Sequence, residues 1–201
     1  DDVCFDSTAV ETDVAGMESA IGYLKPFNTR ATLRFGQSIA ISADGSILAV
    51  GTASENSTSS DGTTSGPNTG GVYTYVKQEN SWVLQELIKP PAIVTENEGF
   101  GTYVSISNDG STLAISALRE DSAFDSDSVL ADGQLFQSGT VFIYERTNDS
   151  WALSASLKAS NAGALDRFGS SIALSGNGNA LIVGATGEDS SSNTTPDDNS
   201  I

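Results

Sequence analysis

The acidic side chains are the first candidates for chemistry. The 201 residues include 26 Asp and Glu against 9 Lys and Arg, for a formal charge of −17, with no His and one Cys. The densest acidic stretch is Arg119-Glu120-Asp121-Ser122-Ala123-Phe124-Asp125-Ser126-Asp127-Ser128-Val129-Leu130-Ala131-Asp132-Gly133. Hard cations such as Ca²⁺ take six to eight oxygens, and Asp121, Asp125, Asp127 and Asp132 with nearby Ser and backbone carbonyls are the candidate ligands. The spacing departs from the EF-hand order, so a solvated acidic loop is the competing reading. Asp125 and Asp127 could also serve as an acid–base pair, but neighbouring loop carboxylates are too common to carry that reading. Without His, this chain can build no Ser-His-Asp or Cys-His set and no His-ligated metal site. The lone Cys4 excludes an internal disulfide and a thiolate cluster. No catalytic set is present, and a non-enzymatic role is expected.

The same composition narrows the partners. Nine scattered cations do not supply the clustered Lys and Arg that phosphate neutralisation requires, so nucleic acid is not expected. No run of about 18 apolar residues is present, and no membrane insertion is expected. Leu, Ile, Val and Phe total 46, enough for a folded core, and 30 Ser, 18 Thr and 20 Gly suit β-structure with many turns.

An internal repeat sets out the elements that must position these side chains. The run Phe35-Gly36 through Gly51 recurs from Phe100-Gly101 to Ser116 and from Phe168-Gly169 to Gly184, at spacings of 65 and 68 residues. Gly71-Val72-Tyr73-Thr74-Tyr75 matches Thr140-Val141-Phe142-Ile143-Tyr144, and Ser81-Trp82-Val83-Leu84 matches Ser150-Trp151-Ala152-Leu153. Each unit predicts four strands, near 38–42, 47–51, 71–77 and 82–88 in the first. The first two are joined by Asp44-Gly45, Asp109-Gly110 or Asn177-Gly178, dipeptides suited to hairpin turns. No segment carries sustained helical periodicity. Four antiparallel strands per unit predict an all-β β-propeller built of four-stranded blades, with a β-sandwich as the competitor.

The Phe-Gly, the Asp-Gly turn, Leu48-Ala49-Val50-Gly51 and Gly71-Val72-Tyr73 resemble the FG-GAP repeats of integrin α-chain heads and of bacterial and algal surface proteins. The resemblance is to the short-loop variety and covers roughly residues 20–187. None of the three copies carries Gly-Ala-Pro, and the integrin calcium loop between the first two strands is missing. The resemblance implies an extracellular or cell-surface module for adhesion or protein–protein assembly, with a protein or glycan partner. A structural subunit of a filament or surface layer, self-assembling with other chains, is the first alternative. A carbohydrate-binding propeller is the second, weakened by the absence of Trp and Tyr from the long loops.

Residues 1–19 form an unassigned segment, 20–186 the blades and 187–201 an acidic Ser/Thr-rich loop or tail. Residues 20–25 read as the fourth strand of one blade, 35–89 and 100–158 as full blades, and 168 onward as the start of another. About three units are legible, and the polypeptide is expected to continue beyond Ile201 into a larger propeller. In such a meander the long connections 53–70, 90–99, 118–138 and 159–167 share one face, where binding is expected. That face holds Glu55, Asp61, Glu96, Glu98, Glu120, Asp121, Asp125, Asp127, Asp132 and Asp166. Phe124 and Phe136 fit no repeat position and are candidate partner anchors, with Asp61, Glu96 and Glu98 beside them. Trp82 and Trp151 are expected in blade packing, and Lys25, Lys89 and Lys158 at solvent. Asn56, Asn148 and Asn193 begin glycosylation sequons, in the number that chance alone supplies.

Overall fold

The structure is a computed structural model that describes residues 24–27, 33–57, 68–79, 81–91, 97–121 and 135–189. Every regular element among them is a strand. The first sheet contains β1 (Ser38–Ile41), β2 (Ile47–Thr52), β3 (Gly71–Gln78) and β4 (Ser81–Ile88). The second contains β5 (Phe100–Ile106), β6 (Thr112–Ala117), β7 (Thr140–Thr147) and β8 (Ser150–Leu157), and the third β9 (Phe168–Leu174) and β10 (Leu181–Ala185). Strand order within each sheet follows chain order, and every pair is antiparallel. These are β-propeller blades, two of four strands and one described through its first two. Leu24, Lys25 and Pro26 lie outside any strand, so the described part of the expected early strand does not form one.

The blades pack face to face. Strand β5 lies against β1 and β2, and β9 against β5 and β6. Between blades 1 and 2, Ile47, Ala49, Val72 and Ile88 meet Phe100, Leu113, Ile115, Phe142, Tyr144 and Trp151. Alternation along each strand sends successive residues to opposite faces, so every four-stranded blade has two apolar faces. The face of blade 1 turned away from blade 2 carries Val50, Tyr73, Tyr75 and Leu87, with Phe35 and Trp82 packed beside them.

The Phe-Gly pair opens each unit for two reasons. Its Phe stacks on an aromatic ring of its own third strand: Phe100 lies 5.7 Å from Phe142, and Phe35 lies 5.4 Å from Tyr73. Its Gly presses on the preceding blade. A Cβ on Gly101, at φ +87°, would sit 2.4 Å from the Gly71 carbonyl oxygen, so only glycine permits that approach.

The short turns between first and second strands form a repeated device. Ser42 Oγ donates to Asp44 Oδ1 at 2.6 Å, and that oxygen also accepts the Ser46 N–H at 3.0 Å. Ser107, Asp109 and Ser111 repeat this, and Ser175, Asn177 and Asn179 repeat it with an amide. These bonds to the carboxylate hold Asp109 at about 2 and lower Asp44 as well. The turns are linked from blade to blade: the Ala43 N–H donates to the Asn108 carbonyl at 2.9 Å, and the Asn108 N–H to the Gly176 carbonyl at 2.8 Å.

Candidate functional site

The opposite edge of the blades carries the long connections, and their stems are built to one plan. In blade 2, Glu120 lies three residues past β6 and is fully buried. Its Oε2 accepts Lys158 Nζ at 2.7 Å and Thr140 Oγ1 at 2.6 Å. Lys158 follows β8 directly, so the pair ties the end of the outer strand to the start of the β6–β7 connection. In blade 1, Glu55 holds the equivalent place. Its Oε2 accepts the Tyr73 hydroxyl at 2.6 Å and its Oε1 the Ser57 N–H at 2.7 Å. Lys89, equivalent to Lys158, donates to the Gly70 carbonyl at 2.7 Å. Burial pulls its ammonium down to about 8, while the charge of Glu55 acts in the opposite direction.

A second repeated feature joins neighbouring blades here. Residues 68–70 run beside 97–100: the Asn97 N–H donates to the Asn68 carbonyl, the Phe100 N–H to the Thr69 carbonyl, and Gly70 bridges Phe100 in parallel. Residues 136–138 run beside 165–168 in the same way, with N–H groups of Leu165, Arg167 and Phe168 donating to carbonyls of Phe136, Gln137 and Ser138. The connection returning to the third strand of one blade is thus stitched to the segment entering the next. Asn97 and Gly99, and their equivalents Leu165 and Arg167, take positive φ there. Glycine is required at 70 and 139: a Cβ would meet the Phe100 oxygen at 2.0 Å and the Phe168 oxygen at 2.2 Å.

These stems revise the surface expected for this face. Glu55, Glu98, Glu120 and Asp166 are all buried rather than offered to a partner. Glu98, expected at the partner surface, is 5% exposed, and its backbone carbonyl accepts the Arg119 N–H. Asp166 caps its own turn by accepting the Gly163 N–H at 2.6 Å, and burial raises its carboxyl above the usual range. Lys158 and Lys89, expected at solvent, turn inward instead, the first onto the Glu120 carboxylate and the second onto the Gly70 carbonyl. The signal was in the sequence: a Glu stands 20 residues after each Phe, buried at Glu55 and Glu120 and exposed at Glu188, and a Lys follows the fourth strands β4 and β8.

The remaining candidates divide. Asp121 Oδ1 accepts the Gln137 N–H at 2.5 Å, tying the two stems of the loop together. Its proposed co-ligands Asp125, Asp127 and Asp132 lie outside the described residues, as do Phe124, Glu96, Asp61 and Asn193. Among the described residues no three Asp, Glu or Cys side chains are arranged to hold a metal ion. Phe136 is 48% exposed at the stem of the 122–134 segment. Asn148 is exposed at the β7–β8 turn, and Asn56 is half-buried on a stem. Trp151 is buried between blades and Trp82 partly buried on blade 1, as packing residues.

Known proteins bear on this plan. Residues 151–198 match the family model of the FG-GAP repeat. No curated protein matches the chain in sequence. Among solved structures, Sqt1 of Saccharomyces cerevisiae superposes with a TM-score of 0.40 and 8% identity, over 82% of this chain and 39% of that one. The chain thus spans well under half the length of that protein. The chain carries an FG-GAP repeat at residues 151–198, and its two preceding units are built on the same plan.

Proposed function

We propose that this chain is a non-enzymatic propeller module of the extracellular space or cell surface, which binds a protein partner through its long-loop edge. The observation that carries the reading is the construction of that edge. The buried Glu120–Lys158–Thr140 set in blade 2, the Glu55 bonds to Tyr73 and Ser57 in blade 1, and interblade backbone bonds fix the stems at 55–57, 68–70, 97–100, 118–121 and 135–139. The segments between stems, 58–67 and 122–134, are free of the repeat pattern in sequence and carry Asp61, Phe124 and the acidic cluster. Variable segments on fixed stems are how rigid β-scaffolds carry recognition, and the exposed Phe136 ring supplies an apolar anchor, with the acidic segment that precedes it in sequence suiting a basic partner. The FG-GAP match is consistent with adhesion or assembly at a surface.

The test exchanges 58–67 and 122–134 for short Gly-Ser linkers, with Phe136→Ser as a point variant. Binding to arrayed cell-surface and matrix proteins and to a glycan array is measured alongside thermal stability. Loss of protein binding with unchanged stability is the expected result. Binding that survives both exchanges removes the reading, and binding confined to glycans transfers the site to carbohydrate.

A further inference from the structure

The three turns between first and second strands differ in a group that matters for chemistry. Asp44-Gly45 and Asp109-Gly110 stand where the third turn has Asn177-Gly178, the one Asn-Gly step in the sequence. All three side chains are exposed, so the exposure of Asn177 is a property of the turn and not of its place in the array. An Asn-Gly step rearranges without an enzyme. The Gly nitrogen attacks the Asn carboxamide carbon, a C–N bond closes a five-membered succinimide, and ammonia leaves. Water then opens the ring at either carbonyl. One opening gives Asp; the other gives isoaspartate, whose main chain runs through the side chain and is one methylene longer. Glycine favours the attack because no Cβ shields its nitrogen. The fold requires glycine at 178: φ is +73°, and a Cβ would lie 2.8 Å from Thr112 Oγ1 of blade 2. A carboxylate in this turn is a poor electrophile, and the bonds that Asp44 and Asp109 accept hold them in that form. Of the three turns, only the third carries the reactive amide.

The closed turn restrains both reacting groups. The Gly178 N–H, whose nitrogen must attack, donates to the Ser175 carbonyl at 2.9 Å. Asn177 Oδ1 accepts Ser175 Oγ at 2.7 Å and the Asn179 N–H at 3.1 Å, which fixes the carboxamide. Ser175 Oγ also accepts the Ala180 N–H at 2.9 Å, next to β10. Blade 2 adds the Asn108 N–H, which donates to the Gly176 carbonyl at 2.8 Å. We propose that Asn177 is a deamidation site, locked while this turn is closed and modified when the β9–β10 hairpin opens. The two products then part. Asp supplies the side chain that already fills the other two turns, so the hairpin closes again with one more negative charge. Isoaspartate lengthens the chain between Ser175 and Ala180, which are bonded to each other across the turn, and the hairpin does not reclose in register. The proposal concerns the short-turn edge and is independent of binding at the long connections.

Peptide mapping by mass spectrometry tests it on the 201-residue chain at neutral pH, folded and in urea, with an isoaspartate-specific methyltransferase to separate the two products. Loss of Asn177 is expected to be at least about tenfold slower in the folded chain, because the bonds of the turn must break first. That comparison needs no variant. Ser175→Ala removes one donor to Oδ1 and the acceptor of the Ala180 N–H, and is expected to move the folded rate several-fold toward the urea rate. Ser42→Ala makes the same change in blade 1 and controls for general destabilisation; it should leave the rate at Asn177 unchanged, with circular dichroism confirming that both variants are folded. Equal rates in the folded and urea-unfolded chains overturn the proposal, as does an Asn177 that survives in urea. A Ser175→Ala rate equal to that of the wild type, or matched by Ser42→Ala, overturns it equally.

Discussion

Removing one partner of the Glu120–Lys158 pair is expected to be among the most damaging single changes in blade 2. Both side chains are almost completely enclosed, at 0% and 4% exposure, and the charges stand 2.7 Å apart. At an effective dielectric near 20 such a pair attracts by about 6 kcal/mol, most of it offset by the cost of taking two ions out of water. Glu120→Gln keeps the volume and the bond from Thr140 but leaves an ammonium buried beside a neutral amide. Breaking a buried pair in this way costs about 3–5 kcal/mol, a large share of the roughly 5–15 kcal/mol that holds a domain together. With a urea slope of about 1–3 kcal/mol/M, the midpoint falls by about 1–5 M. Lys158→Met is expected to cost a similar amount. The double variant, which buries no net charge, is expected to be more stable than the sum of its parts by about 2 kcal/mol or more. Asp149→Asn is the control: its pair with Arg146 is 80% exposed on the Asp side, and the change should stay within about 1 kcal/mol. A Glu120→Gln loss no larger than that of Asp149→Asn, or an additive double variant, refutes the view that the pair pins the loop stem.

Three further outcomes follow from the same geometry. Gly36→Ala and Gly139→Ala impose the same left-handed strain, about 1–2 kcal/mol, at φ +85° and +84°, but only the second drives a Cβ to 2.2 Å from a backbone oxygen; urea midpoints should therefore separate them by several times that strain. Lys89 loses its proton at about 8 when folded, against an ordinary 10.5, so between these values the unfolded chain holds more protons and stability rises with pH by about 1–3 kcal/mol. Above about pH 10 the trend opposes itself, because burial raises Tyr75 to about 12 and the folded state then keeps a proton the unfolded state gives up. Urea titrations from pH 7 to beyond 10 read both limbs, and Lys89→Met removes the first. Asn177→Asp should change stability by no more than about 0.5 kcal/mol, since Asp44 and Asp109 already fill that turn with the same bonds; an unfolding midpoint well below wild type would contradict the equivalence of the three turns.

The strands were legible because their signal is local. Alternating apolar residues bounded by Asp-Gly and Asn-Gly place β1 and β2 almost to the residue, the repeat carries them to β5, β6, β9 and β10, where β5 and β9 start about three residues earlier than expected, and the Trp82–Trp151 match places β4 and β8. The aromatic partner of the Phe-Gly pair was legible only as core, because the distance between Phe100 and Phe142 is set by a sheet register that spans 42 residues of chain. What misled was charge. Glu55 and Glu120 sit in polar, turn-rich sequence, where a carboxylate ordinarily faces water. Glu120 is paired by a lysine that arrives 38 residues later, at the end of the fourth strand, and Glu55 is held by the Tyr73 hydroxyl and the Ser57 N–H.

That failure has a physical form that applies to the remaining loop acids. A carboxylate that recurs at one register position in successive blades answers to a constraint every blade shares, namely closing the stem of its long connection. Glu55 and Glu120 meet this test and are buried, while Glu188 at the same position is exposed and accepts a bond from Asn161; Glu98 and Asp166 share a second register position, two residues before Phe-Gly, and are buried too. Asp61, Asp125, Asp127 and Asp132 have no counterpart at a shared position in all the units, so blade closure places no demand on them. The net charge of −17 is therefore two populations. One is neutralised or hydrogen-bonded within the blades, and the other is carried by segments the repeat leaves free to differ. Recognition, if it uses charge, must draw on the second population, and substitutions in the first should be read as changes in stability before any loss of binding is assigned to contact.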